Sequence, residues 1–77
     1  MNNSKNIVVD SKYKSCPGPI VDLSEAVKSA KSGQKIILLA TDPAAPSDVR
    51  EWAIQVGHKV EKISEQEGIY TIEVEVR

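Results

Sequence analysis

Four consecutive apolar residues, Ile36-Ile37-Leu38-Leu39, lie near the middle of the chain between Gly33 and Asp42-Pro43. The run is too short for a helix of ordinary length and is bounded by turn formers on both sides. It therefore predicts a central strand over Lys35 to Ala40. A central strand needs a hydrogen-bonding neighbour on each edge and apolar cover, and the flanking segments have to supply both.

Upstream, Met1 to Lys5 is polar and is expected to fray, and Ile7-Val8-Val9 is a β-branched run that predicts a short buried strand. Asp10 to Ser15 reads as a loop leading to Cys16. From Pro19 to Lys31 the apolar residues Ile20, Leu23, Val27 and Ala30 recur at spacings of three and four, one face of an amphipathic helix that Gly33 is placed to end. Downstream, Thr41 to Pro46 is a proline-containing loop, and Ser47-Asp48 supplies a cap and an acid for a second helix. Val49, Trp52, Ala53 and Val56 form the apolar stripe of that helix, which Gly57 closes. Beyond His58 the period changes to two. Val60 and Ile63 mark one strand, Ile69, Tyr70, Ile72, Val74 and Val76 another, with a loop of several residues, Ser64 to Gly68, between them. The order is β-α-β-α-β-β. Right-handed crossovers then give a two-layer α/β sandwich, a four-stranded mixed sheet with both helices on one face and the other face polar or used by a partner.

The 77 residues form one domain, 1–77, which at this size buries roughly 60% of its unfolded surface. One thin core leaves little room for an enclosed substrate cleft, so chemistry is expected near the surface. Ten Lys and Arg against eleven Asp and Glu, with no Phe, give neither the basic excess nor the aromatic platform of a nucleic-acid binder. No apolar run approaches a membrane span, and a single cysteine excludes an internal disulfide. The chain reads as soluble and cytoplasmic, without signal peptide or anchor.

That cysteine stands in the run Cys16-Pro17-Gly18-Pro19. Pro17 and Pro19 each fix a backbone φ, and proline is favoured in the first helical turn, where its missing N–H would have had no partner. The run is thus a rigid helix start, with the thiol at or just before the positive end of the helix, where a thiolate is favoured over a thiol. Lys12 and Lys14 offer additional positive potential. The plainer reading is that Cys16 is a small buried hydrophobe, as most lone cysteines are.

On these residues the chain resembles the TusA/SirA-type sulfur carriers, small sulfurtransferases with a Cys-Pro-x-Pro motif. The resemblance extends over nearly the whole chain, through Asp10, Cys16-Pro17-Gly18-Pro19, Gly33, Asp42-Pro43, Asp48, Trp52 and Gly57-His58. It implies the β-α-β-α-β-β fold and a role for Cys16 in accepting a sulfane sulfur as a persulfide, or a thiosulfonate group, and passing it on. It implies no cofactor. The partners it implies are transient sulfur-donor and sulfur-acceptor proteins, such as cysteine desulfurases and rhodanese-like or DsrE-like proteins. Pathways from tRNA thiolation to cofactor synthesis and inorganic sulfur oxidation are all compatible with it. Where the family usually has Arg-Gly-x-x before the cysteine, this chain has Lys12-Tyr13-Lys14-Ser15: the charge is kept and a tyrosine replaces the glycine.

Other candidates have bland readings. His58, the single histidine, follows a helix-ending glycine and nothing in the sequence aims it at Cys16; one Cys and one His do not make a metal site. Asp42 and Asp48 read as a turn former and a helix-dipole partner, Trp52 as core. Two rival functions remain: a non-catalytic regulatory or interaction module in which Cys16 is structural, and a thiol reductase, for which a second cysteine is missing.

Overall fold

Six elements follow in the predicted order: β1 (Ile7–Ser11), α1 (Gly18–Ser29), β2 (Lys35–Ala40), α2 (Ala45–Val56), β3 (Lys59–Gln66) and β4 (Ile69–Glu75). The computed structural model describes residues 6–15 and 17–77; Met1 to Lys5, expected to fray, and Cys16 lie outside them. The sheet runs β1-β2-β4-β3, with β1 parallel to β2 and both other pairs antiparallel. The Ile36–Leu39 run is a central strand, hydrogen-bonded on both edges.

Only one face of that sheet is covered. Ile36, Leu38 and Ala40 of β2, with Ile72, Val74 and Val76 from the β4 side, are buried under Leu23 of α1 and Ala45 and Val49 of α2. Ile20, Val27 and Trp52 pack against this cluster from the helices, and Ala30 from just beyond α1. The alternate residues Val8, Ile37, Leu39, Thr71 and Glu73 therefore lie on the open face. Val8 is 63% exposed, which corrects the expectation of a fully buried β1. As an edge strand β1 shows one face to solvent, and it also runs two residues longer than expected, through Asp10 and Ser11.

Three boundaries differ from expectation, each for a local reason. Helix α1 ends at Ser29 with Ala30 extended, so Gly33 belongs to the turn before β2, where its N–H donates to the Val76 carbonyl at 2.7 Å. Helix α2 begins at Ala45 because Asp42 accepts from the Ala44 N–H through its side chain and from the Ala45 N–H through its carbonyl. Pro46 then fits the first turn, and Ser47 lies inside the helix rather than capping it. Gly57 closes α2 as expected, but Val56, in the last turn before the chain leaves for the edge strand, is half exposed. The β3–β4 connection is a two-residue turn, Glu67-Gly68, with both φ positive, at 54° and 82°. That is the primed turn matching strand twist, and glycine is at home in its second position.

Val60 and Ile63 are three residues apart, which a regular strand would put on opposite faces. Their partners Val74 and Ile72 are two apart, and a bulge between Val60 and Lys62 absorbs the extra residue. Both side chains thereby join the core.

Burial of Leu38 on the helix side and partial exposure of Ile37 on the open face set up a direct comparison. Leu38→Ala should cost about 2–5 kcal/mol in urea unfolding, whereas Ile37→Thr should cost about 1 kcal/mol or less. Equal losses would show that the open face is covered too.

Candidate functional site

Because β1 and β2 are parallel, the chain must cross from the end of one to the start of the other, and α1 is that crossover. The start of α1 therefore lies at the carboxyl end of β1, beside the loop that leaves β2. Residues 12–17 connect β1 to α1, and Thr41 to Ala44 connect β2 to α2.

The first loop is held at several points. The Lys12 N–H donates to Asp10 Oδ1 at 3.1 Å, the Lys14 N–H to the Ser11 carbonyl at 3.3 Å, and the Gly18 N–H to the Ser15 carbonyl at 2.7 Å. The two loops are joined where the Tyr13 N–H donates to Thr41 Oγ1 at 2.8 Å. Tyr13 has φ 68°, in the left-handed region that costs a bulky residue roughly 1–2 kcal/mol. Its side chain is nevertheless 85% exposed. A backbone of this shape is one in which glycine would be unstrained.

Ser11 is fully buried, and its hydroxyl donates to Asp22 Oδ2 at 2.7 Å; Lys14 Nζ donates to the same oxygen at 2.9 Å. Strand end, loop and helix thus meet on one carboxylate. The Ser11 hydroxyl first, then the Lys14 ammonium, hold the Asp22 carboxyl below the ordinary aspartate range, against a small opposing effect of burial.

Helix α1 starts at Gly18 with Pro19 buried in its first turn, no acidic residue in that turn and no side-chain cap. Gly18 lies at a close approach: a Cβ there would sit 3.0 Å from the Cβ of Lys14, which would have to give way by a few tenths of an ångström. Pro17 immediately precedes the helix and is exposed. Of the predicted site residues, Pro17, Gly18, Pro19, Lys12 and Lys14 therefore share one corner of the molecule. Both lysines face a carboxylate, Lys12 with Asp10 at 3.7 Å and Lys14 with Asp22 at 2.9 Å, so each positive charge has a negative one beside it.

His58 is not brought to this corner. Lys59 pairs with Glu75 and Glu75 with Lys35, at the opposite end of the sheet from Ser11, Ala40 and Tyr70, a separation of roughly 15–20 Å along the strands. There His58 Nδ1 accepts from the Arg77 N–H at 3.0 Å, and its ring leans on Trp52 with centroids 5.8 Å apart. It borders a groove of about 380 Å³ between α2 and β3 that takes in Arg50 and Ile54 and no described residue of the 12–17 loop. Asp42 and Asp48 lie near the start of α2, Asp48 in its first turn. Among the described residues no His, Cys, Asp or Glu cluster is arranged to hold a metal ion. No helix among them is long and apolar enough to cross a membrane.

The sequence reading missed Ser11, Asp22 and Thr41. None carries a local signal, since each acts on a residue distant in sequence and only the β1-α1-β2 topology joins them.

A family model, Sulfurtransferase TusA, matches residues 7–76. The chain belongs to this family. Among relatives, the sulfur carrier protein TusA of Pseudomonas aeruginosa is 27% identical over 70 residues, covering 91% of this chain and 89% of its own. A Neisseria meningitidis protein named "Putative sulfur carrier protein" is 37% identical over 60 residues, covering 78% and 81%. The crystal structure of a SirA-like protein from Desulfitobacterium hafniense has the same fold, with a TM-score of 0.79 at 17% identity over 90% of this chain and 95% of that one.

Two variants test the corner. With a carboxyl that titrates below its unfolded value, the stabilisation from Asp22 is complete above the ordinary aspartate pKa, about 4, and is lost as pH falls through the lower folded value. Asp22→Asn should cost about 1 kcal/mol at neutral pH, and the gap to wild type in urea unfolding should close on acidification below pH of about 4. A gap independent of pH would mean that the ionised carboxylate is not what is lost. Gly18→Val should push Lys14 off Asp22, lowering the melting temperature and returning the Asp22 pKa, read by NMR, toward the ordinary range.

Proposed function

We propose that the chain is a sulfur carrier whose Cys16 thiolate takes up a sulfane sulfur and yields it to an acceptor protein. The observation that carries this reading is the mount: a helix start with no acid in its first turn and no side-chain cap, tied to its strand through Asp22, in a chain of the TusA family. A helix start of this kind favours an anion beside it, whether thiolate, persulfide or thiosulfonate. Relatives that are named sulfur carriers support the same role.

The step is an exchange. The Cys16 thiolate attacks the terminal sulfur of a donor persulfide, the S–S bond of the donor breaks, and the donor leaves as a thiolate while Cys16 becomes a persulfide. Attack on a central sulfur of tetrathionate forms a Cys16 S-thiosulfonate and releases thiosulfate. Neither step needs an outside oxidant or reductant. Unloading repeats the first step with the acceptor thiolate as nucleophile. Donor and acceptor proteins meet the carrier transiently, through interfaces of modest area.

The test is intact-mass spectrometry after incubation with polysulfide or tetrathionate. The wild-type chain should gain the mass of one sulfur atom or of one thiosulfonate group, a reductant should remove it, and Cys16→Ser should gain neither. A wild-type chain that stays unmodified would instead make Cys16 structural and the protein an interaction module.

A further inference from the structure

We infer that Tyr13 is the anchor on which a sulfur-donating protein docks, its ring entering an apolar recess beside the sulfur-bearing cysteine of that protein. The inference rests on the carrier reading. Given that reading, the footprint follows from covalent geometry alone. Three residues span at most about 11 Å, and an interface of about 800 Å² on each partner reaches about 16 Å from its centre. An interface of that area centred on position 16 takes in position 13.

What it covers there is 85% exposed and aromatic, in a left-handed backbone that penalises a side chain of this size and held in place by the Thr41 hydroxyl. Among the described residues no contact accounts for the ring, whereas tyrosine at an interface is a frequent source of binding energy. On the other side of the motif Val21 is 52% exposed on α1, a second apolar group within the same footprint. The neighbouring charges are already compensated, Lys12 by Asp10 and Lys14 by Asp22, so the surface fits an apolar contact rather than an ionic one.

The test compares two routes of loading, polysulfide and protein. The protein probes are a cysteine desulfurase turning over free cysteine and a rhodanese charged with thiosulfate, and the readout is the rate at which the persulfide appears by intact mass. The variants are Tyr13→Asn, which tolerates the left-handed backbone without the ring, and Tyr13→Phe, which keeps the ring. Tyr13→Asn should lower the ratio of protein-driven to polysulfide-driven loading about tenfold, through KM for the protein donor. It should leave the melting temperature equal or raised, and Tyr13→Phe should restore the ratio. A fall in both routes together, or an unchanged ratio, would overturn the inference. So would a wild-type chain that polysulfide loads and neither protein does. A wild-type chain that polysulfide itself fails to load would overturn the carrier reading on which the inference stands.

Discussion

The parallel pairing of β1 with β2 is the constraint from which the rest of the structure follows. Register from Ile7 with Ile36 to Ser11 with Ala40 fixes both strands in one direction. A parallel neighbour cannot be reached by a tight turn, so α1 has to return the chain across the sheet. That return places the start of α1 at the carboxyl ends of β1 and β2, the end of a sheet at which loops from neighbouring strands converge.

Polar contacts join the elements at that corner, beside the buried Pro19. The buried Ser11 hydroxyl requires a partner, and Asp22, one helical turn into α1, supplies it while also drawing in Lys14. One carboxylate thereby links the strand end, the helix and Lys14 of the loop between them. Since the carboxylate also neutralises Lys14, and Asp10 engages Lys12, the positive potential left at the start of α1 is chiefly that of the helix itself. The lysines shape the loop more than they charge it.

Much of this was legible in the sequence where the signal is local. Element order, the one covered face and the extent of β2 follow from hydrophobic period, and the start of α1 from two prolines. Boundaries went astray where a side chain outside the element set them, as when Asp42 starts α2 two residues ahead of Ser47. The spacing of Val60 and Ile63 looked irregular because a bulge is visible only against the partner strand. In the site, the motif could be read directly, but Ser11, Asp22 and Thr41 could not. Their contacts close over 11 and 28 residues, and no pattern along the chain encodes such distances.

A carrier differs from an enzyme in what its surface must do. On the proposed reading, moving a sulfur atom between two thiolates exchanges like bonds, so little free energy is released and the sulfur must leave as readily as it arrives. Enclosing it in a pocket would oppose the second half of that task. On that reading a helix start beside the exposed Pro17 and Tyr13 suits both halves, with selectivity left to whatever surrounds it. Among the described residues around it, Tyr13 is strained in its backbone and exposed in its ring. Placing a large aromatic where the backbone favours glycine sacrifices some stability, and a domain this small has little to spare. The residue is intelligible if selection acts on the surface it presents rather than on the fold it burdens.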